Sequence, residues 1–228
     1  MCGRYATARL TWEQIVAMST LTTLGIPPEP LREAYNVAPT QMAPIIASDR
    51  EQHRCTLARF GLVPQWFRKP LEELKFATFN AKSEEVTEKA SYRGPVKSQR
   101  CLIPVQHFYE WKGKGKPYAI GNKDETPMFF AGLWTNWAGM SKGEIVEFDS
   151  FTIMTTAAND FMQQIHKRMP VILQAEDYET WLTGETDETL AVAGQYPSQL
   201  MQAYPVGPAV GNVRNQGSEL AASVGEAI

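Results

Sequence analysis

The apolar positions of this chain recur mainly at every second residue, in short runs divided by Gly, Pro, Asn and Asp. That period belongs to strands laid against a core. It is clearest over residues 145–156, where Phe148, Ser150, Thr152 and Met154 share one face and Asp149, Phe151, Ile153 and Thr155 the other. Further strands are predicted over 42–47, 54–60, 74–80, 100–112, 116–120, 127–134 and 171–173, with Gly-rich turns at 121–126 and 138–143. Pro104 should put an edge, bulge or kink into the 100–112 strand. Helical spacing is rarer. Leu10, Ile15, Met18 and Leu21 form a stripe on a helix over 11–21, opened by a Thr11/Gln14 capping box. Short helices are expected over 160–165 (capped by Asn159), 175–182 and 188–193, and Ser83 can open another.

A length of 228 residues with 43% hydrophobic content suits one compact domain, here residues 1–217, with a flexible tail over 218–228. No apolar run approaches the ~18 residues of a membrane span, and the first ten residues are too polar for a signal peptide. Cys2, Cys55 and Cys101 are odd in number and widely spaced, which excludes a disulfide framework and a zinc-binding spacing. The expected protein is a monomer of the reducing cytoplasm or nucleoid, without metal or cofactor. The net charge of −3 conceals a segregation. Lys89, Arg93, Lys97, Arg100, Lys112, Lys114, Lys116 and Lys123 share their window with a single carboxylate, Glu110, whereas residues 169–213 hold no Lys or Arg. Such a basic stretch can follow a phosphate backbone, or be a solvated loop.

Candidate chemistry begins at Cys2. Once Met1 is removed, Cys2 presents an amine and a thiol on adjacent carbons, with reference pKa values of roughly 7.7–8.0 and about 8.5. An aldehyde condenses with such an amine, and the thiol can close onto the imine carbon as a thiazolidine. The alternative is a buried small hydrophobe. On strict alternation Phe108 and Glu110 share a face, which aims Glu110 at the apolar side, where burial raises a carboxyl's pKa as a general acid needs; the other reading is a rim glutamate paired with a nearby lysine. His166 follows the 160–165 helix, whose dipole favours the imidazolium. Asn80 ends a predicted strand. Trp66 and Phe67 follow Pro64 and precede Arg68 and Lys69, either as a base-stacking surface or as aromatics folded over the core.

Taken in order, Met1-Cys2-Gly3-Arg4-Tyr5, Tyr35-Asn36-Val37-Ala38-Pro39, Phe79-Asn80-Ala81, Phe108-Tyr109-Glu110-Trp111-Lys112, Ile165-His166-Lys167-Arg168-Met169-Pro170 and Val210-Gly211-Asn212-Val213-Arg214-Asn215-Gln216-Gly217 resemble the SOS-response-associated peptidase (SRAP) family. The resemblance implies an α+β single domain with a curved, mostly antiparallel, barrel-like sheet and a few flanking helices. It implies a protein that crosslinks to abasic sites in single-stranded DNA through a Cys2 thiazolidine. Asn80 would position the N-terminal residue and sugar, Glu110 would serve as acid–base group, and His166 would assist Schiff-base chemistry and reversal. Arg4, Lys82 and Arg168 would contact the DNA, with Pro39, Trp66 and Phe67 wedged against bases. The sequence departs at Lys82, where arginine is expected: lysine keeps the charge but lacks the bidentate fork. Strand cleavage by a lyase reaction is a competing outcome of the same imine chemistry. Two other classes remain open, a cysteine (auto)peptidase with Cys2 as nucleophile, His166 as base and Asn80 or Glu110 as orienter, and a non-covalent reader of modified DNA.

Overall fold

A computed structural model describes residues 2–21, 24–49, 52–113 and 115–228. Among them the elements run β1 (Tyr5–Ala6), α1 (Trp12–Ser19), β2 (Met42–Ser48), β3 (His53–Phe60), β4 (Asn80–Lys82), α2 (Pro95–Ser98), β5 (Arg100–Val105), β6 (His107–Lys112), β7 (Lys116–Asn122), β8 (Met128–Ser141), β9 (Glu144–Ala157), β10 (Arg168–Pro170), β11 (Ile172–Leu173), α3 (Tyr178–Thr183), α4 (Thr186–Val192) and β12 (Met201–Pro205). Strand β2 pairs with β3 and β5, β5 with β8, and β8 with β9, all antiparallel. Strand β9 then meets β3 in parallel, Arg59 opposite Ser150 and Phe60 opposite Phe151, and closes a five-stranded barrel. A separate antiparallel sheet runs β1-β6-β7-β12. This is the α+β, barrel-like, mostly antiparallel architecture expected.

The period-2 pattern explains the two apolar layers. Ala43, Ile45, Ala47, Cys101, Ile103, Phe130, Phe151 and Ile153 point into the barrel. Their neighbours Ile46, Leu102, Phe129 and Leu133 point outward, where Trp12, Ile15, Tyr178 and Trp181 of the helices cover them. The buried indoles each place their N–H on a carbonyl, Trp134 on Ser48 at 2.8 Å, Trp137 on Phe67 at 2.8 Å and Trp181 on Cys101 at 3.0 Å. The side chain of Arg100 is also fully buried. Its guanidinium donates to the carbonyls of Val96, Lys97, Trp181, Leu182 and Gly184, tying α2 and the end of α3 to β5. Arg100 is therefore a correction to the basic stretch, because its charge never reaches the surface.

Several boundaries also differ from expectation. Residues 100–112 form two strands in two sheets, and the break lies at Gln106 rather than Pro104. Pro104 is tolerated because β2 stops pairing with β5 at Leu102. Residues 138–141 are strand, not turn, and the β8–β9 hairpin reverses at Lys142 and Gly143, with φ of 49° and 86°. Gly139, read as a turn residue, is instead where the Trp137 indole lies against the backbone. The 74–80 strand is absent except for Asn80, which begins β4. The 160–165 helix is a single turn of 3₁₀ helix, Met162–Gln164, with Asn159 Oδ1 accepting from Met162 N at 2.9 Å. The predicted capping box of α1 is present, with Gln14 N on Thr11 Oγ1 at 3.3 Å and Thr11 N on Gln14 Oε1 at 2.9 Å. Residues 218–228 are not a free tail: Leu220 is buried, and the N–H groups of Val224 and Ile228 donate to Pro205 and Ala203 along β12. No helix among the described residues is long and apolar enough to cross a membrane.

Gly132 is a point of close approach in the barrel, where β8 runs between β5 and β9. A Cβ there would lie 2.6 Å from Ile103 Cδ1, 2.7 Å from Cys101 Sγ and 2.9 Å from Thr152 O. Gly132→Ala is therefore expected to destabilise the fold by about 1–3 kcal/mol, read as a lower urea midpoint at unchanged m-value. An unchanged midpoint would mean that the barrel relaxes around the methyl group.

Candidate active site

Three stretches converge on the end of the barrel, two of them because β9 runs on after β3 ends and β8 parts from it. Beyond β3, its next partner on that side is β4, with Asn80 opposite Ile153 and Lys82 opposite Thr155. Beyond β8, which reaches Ile153 at Gly132, β9 pairs instead with β10, Pro170 opposite Thr155 and Arg168 opposite Ala157. Asn80 and the His166–Arg168 segment thus flank the same few residues of β9. From the other sheet, β6 receives the N-terminal segment, with Tyr5 opposite Phe108 and Tyr109 N donating to Arg4 O at 2.9 Å. Continuing that register sets Gly3 across from Glu110, one residue from Cys2.

Cys2 is fully buried among the barrel-filling side chains, and Glu110 is 4% exposed. The alternation reading of β6 holds: Phe108 joins the barrel cluster, while Tyr109 faces away and accepts a hydrogen bond through its hydroxyl from His107 Nε2 at 2.8 Å. The Tyr109 hydroxyl itself donates to Tyr35 O at 2.9 Å, so the proton of that pair lies on His107. Asn80 Nδ2 donates to Cys2 O at 2.9 Å. The Asn80 Oδ1 atom is buried with no hydrogen-bond partner among the described residues. Burial raises the Cys2 thiol far above its usual range, and the nearby negative charge of Glu110 adds to the effect. The resting thiol is therefore protonated. His166 follows the turn whose Met162 and Ile165 pack in the cluster that contains Cys2. Its Nδ1 lies 3.0 Å from the backbone N of Arg168 and 3.1 Å from the Arg168 carbonyl oxygen, so the tautomer decides whether it accepts from the one or donates to the other.

The residues expected to meet DNA divide. Trp66 is half-exposed, stacked on Phe76 with ring centroids 6.2 Å apart, and its Nε1 donates to Ala90 O at 3.2 Å. Phe67 does not share that surface: it is buried against Val63 and Trp137, and Phe76 takes the outer place beside Trp66. Pro39 is partly exposed, just after Val37, which bridges Tyr5. Arg4 is spent on the protein. Its guanidinium donates to Asn36 Oδ1 at 3.1 Å, Val210 O at 2.6 Å and Gly211 O at 3.1 Å. Arg168 makes a fork to Glu84 at 2.6 and 2.9 Å and reaches Thr155 O at 2.7 Å. Lys82 pairs with Glu85 at 2.8 Å.

Sequence reasoning missed Asn36 and Tyr92. Asn36 is fully buried, and its Nδ2 lies within 3.0–3.2 Å of the carbonyls of Val210, Asn212 and Asn215, latching the 210–217 motif to the N-terminal strand through Arg4. Only its place inside the Tyr35–Pro39 motif hinted at a role. The Tyr92 hydroxyl donates to Asn80 O at 3.2 Å, and nothing in its local pattern signals that.

A model of the SOS response associated peptidase (SRAP) family matches residues 1–213. The abasic site processing protein YoaM of Bacillus subtilis is 34% identical over 96% of this chain and 97% of its own length. The abasic site processing protein YedK of Escherichia coli is 29% identical over 96% and 98%. Among solved structures, a protein from Bacteroides thetaiotaomicron superposes with a TM-score of 0.77 at 26% identity, covering 91% of this chain and 93% of that one.

The Cys2–Glu110 relation has a direct test. Replacing Glu110→Gln removes a negative charge that disfavours the thiolate, so the thiol pKa must fall and thiolate-dependent alkylation must accelerate. Mass spectrometry of the Cys2 peptide after iodoacetamide at pH 9 should show faster labelling in Glu110→Gln than in the parent. Equal rates would place the carboxylate outside the thiol's field.

Proposed function

The chain belongs to the SOS response associated peptidase family, and on that premise we propose that it processes abasic sites in DNA by covalent capture on Cys2. The observation that carries this reading is the Asn80 amide on the carbonyl of a buried Cys2, with the Glu110 charge bearing on its thiol. Met1 must leave first, which frees the α-amine. The amine adds to the aldehyde carbon of the ring-opened deoxyribose, and loss of water gives an imine. Sulfur then adds to the imine carbon as the thiol proton moves to nitrogen, closing a five-membered thiazolidine. The sequence consumes no oxidant or reductant. Glu110 is suited to carry that proton, since a thiol this reluctant to ionise needs a base at the moment its S–C bond forms. His166 is the second group for proton transfer to the sugar oxygen. Single-stranded DNA is the favoured substrate, because the unpaired lesion need not be drawn from a duplex.

A cysteine peptidase is less well supported. Such enzymes depress the thiol pKa beside an imidazolium, whereas burial and Glu110 raise that of Cys2. A non-covalent reader has no use for a buried Cys2 gripped by Asn80.

Incubation with an abasic single-stranded oligonucleotide should raise the intact mass of the Met1-processed protein by that of the oligonucleotide less one water. Cys2→Ala should give no adduct that survives denaturation, and Glu110→Gln should slow adduct formation by about 10²-fold. A denaturant-resistant adduct on Cys2→Ala would sink the mechanism.

A further inference from the structure

The turn that follows β4 gathers charge of both signs. Ser83–Glu85 is a single turn of 3₁₀ helix, and its two carboxylates meet three cations drawn from three segments. Glu84 takes the Arg168 fork at 2.6 and 2.9 Å. Glu85 is shared: its Oε1 lies 2.8 Å from Lys82 Nζ and its Oε2 lies 3.6 Å from Lys89 Nζ. The Lys82 hydrogen bond first, then the charges of both lysines, hold the Glu85 carboxyl below its ordinary value, so it is ionised at neutral pH. Glu88, three residues on, is exposed and makes no ion pair among the described residues.

Place and geometry set Glu85 apart from an ordinary surface pair. Strand β4 carries Asn80, whose amide donates to Cys2 O at 2.9 Å. Lys82 lies two residues along the same strand face, ~7 Å away. A carboxylate with one ammonium on each oxygen offers the lysines what a phosphate offers, two anionic oxygens on one centre. The side chains of Glu85, Lys82 and Lys89 are 38, 48 and 60% exposed. A strand arriving from solvent therefore meets these lysines with Glu85 already in place. Exposed pairs of this kind are weak, so the carboxylate gives way to a phosphate and does not lock the lysines.

We infer that Glu85 is a built-in competitor of the DNA phosphate, occupying Lys82 and Lys89 until a strand displaces it. The inference rests on the DNA reading above and adds a residue that limits how tightly an intact strand is held. Intact nucleotides far outnumber lesions, and contacts to phosphate carry no information about the base, so they sequester a protein on undamaged DNA. By lowering that affinity Glu85 shortens each stay on an intact strand and leaves retention to the bond formed at Cys2. Because it weakens intact and abasic strands alike, it leaves the chemical step untouched. Glu84 plays no such part, since its partner Arg168 also serves Thr155 O at 2.7 Å and stays with the protein.

Undamaged DNA tests the competitor apart from the capture chemistry. Binding of a fluorescein-labelled, lesion-free single-stranded 12-mer to Cys2→Ala protein is followed by anisotropy as a function of salt. Adding Glu85→Gln should tighten binding about fivefold at low salt and steepen the slope of log K against log salt by about 0.7 for each further phosphate neutralised. Glu88→Gln removes the same charge from the same turn and should bind as the parent does. In a Lys82→Gln/Lys89→Gln background, Glu85→Gln should no longer change the affinity. With Cys2 intact, Glu85→Gln should match the parent's rate of adduct formation at saturating abasic DNA, and its half-saturating concentration should be about fivefold lower. Unchanged affinity in Glu85→Gln would overturn the inference, as would an equal gain in Glu88→Gln or a gain that persists without the two lysines. A lower saturating rate would also overturn it, by placing Glu85 in the chemical step. Absence of a denaturant-resistant adduct in the parent would sink the capture mechanism alone, and the competitor would stand on the 12-mer data.

Discussion

The parallel contact between β3 and β9 is the constraint on which the rest of this molecule depends. Only two residue pairs make it, Arg59 with Ser150 and Phe60 with Phe151, yet it closes the barrel. A closed barrel leaves a long strand with unsatisfied backbone groups wherever its neighbours end or turn away, and each must find another partner. β9 is 14 residues long; β3 ends beside it at Phe60, and β8 parts from it beyond Gly132 to pair with β11. β4 and β10 supply the missing ladders, and they bring Asn80 and the His166–Arg168 segment with them. The site elements on this side are there because a sheet edge had to be paired.

The other half of the site is fixed by a different demand. The N-terminal segment has few contacts of its own, so it is ordered by pairing with β6, by the Tyr5–Val37 bridge and by Arg4 on Asn36 and the 210–211 carbonyls. Those bonds hold Cys2 inside the barrel mouth, where desolvation keeps its thiol protonated. Burial that suppresses the thiolate would defeat an enzyme that opens with thiolate attack. It suits a sequence in which an amine attacks first and sulfur arrives second, at an electrophile already bound. The same burial protects the thiol from oxidation, which proceeds through the thiolate.

Much of this was legible in the residues. The strict alternation of Phe108, Tyr109 and Glu110 aimed Glu110 inward because a strand has only two faces, and the capping box of α1 needed only four consecutive residues. What escaped was non-local. Asn36 acts on carbonyls 174 to 179 residues away, and no local period encodes that. Adjacent aromatics such as Trp66 and Phe67 read alike, and only the packing of Trp137 decides which one is buried. Arg100 counts as a surface charge in any composition, yet a cluster of helix-end carbonyls draws it inside. The family resemblance, rather than local pattern, brought Cys2 and His166 together with Asn80.

The availability of Lys82 and Arg168 to an anion follows from how firmly each cation is held. Lys82 with Glu85 is an exposed pair, of the kind worth about 0.2–1 kcal/mol. A phosphate can take Lys82 from Glu85 at small cost, and a lysine's rotatable ammonium adapts to the exchange. Arg168 is different. Its side chain is 15% exposed, and its planar fork is matched to both Glu84 oxygens while also serving Thr155. Moving it to a phosphate would break a bidentate pair and strip β9 of a partner. Arg168 therefore anchors β10 and, through it, the backbone N–H and carbonyl that meet His166 Nδ1. The arginine expected to hold DNA is instead committed to the protein, and of the two cations Lys82 is the one that a phosphate could recruit.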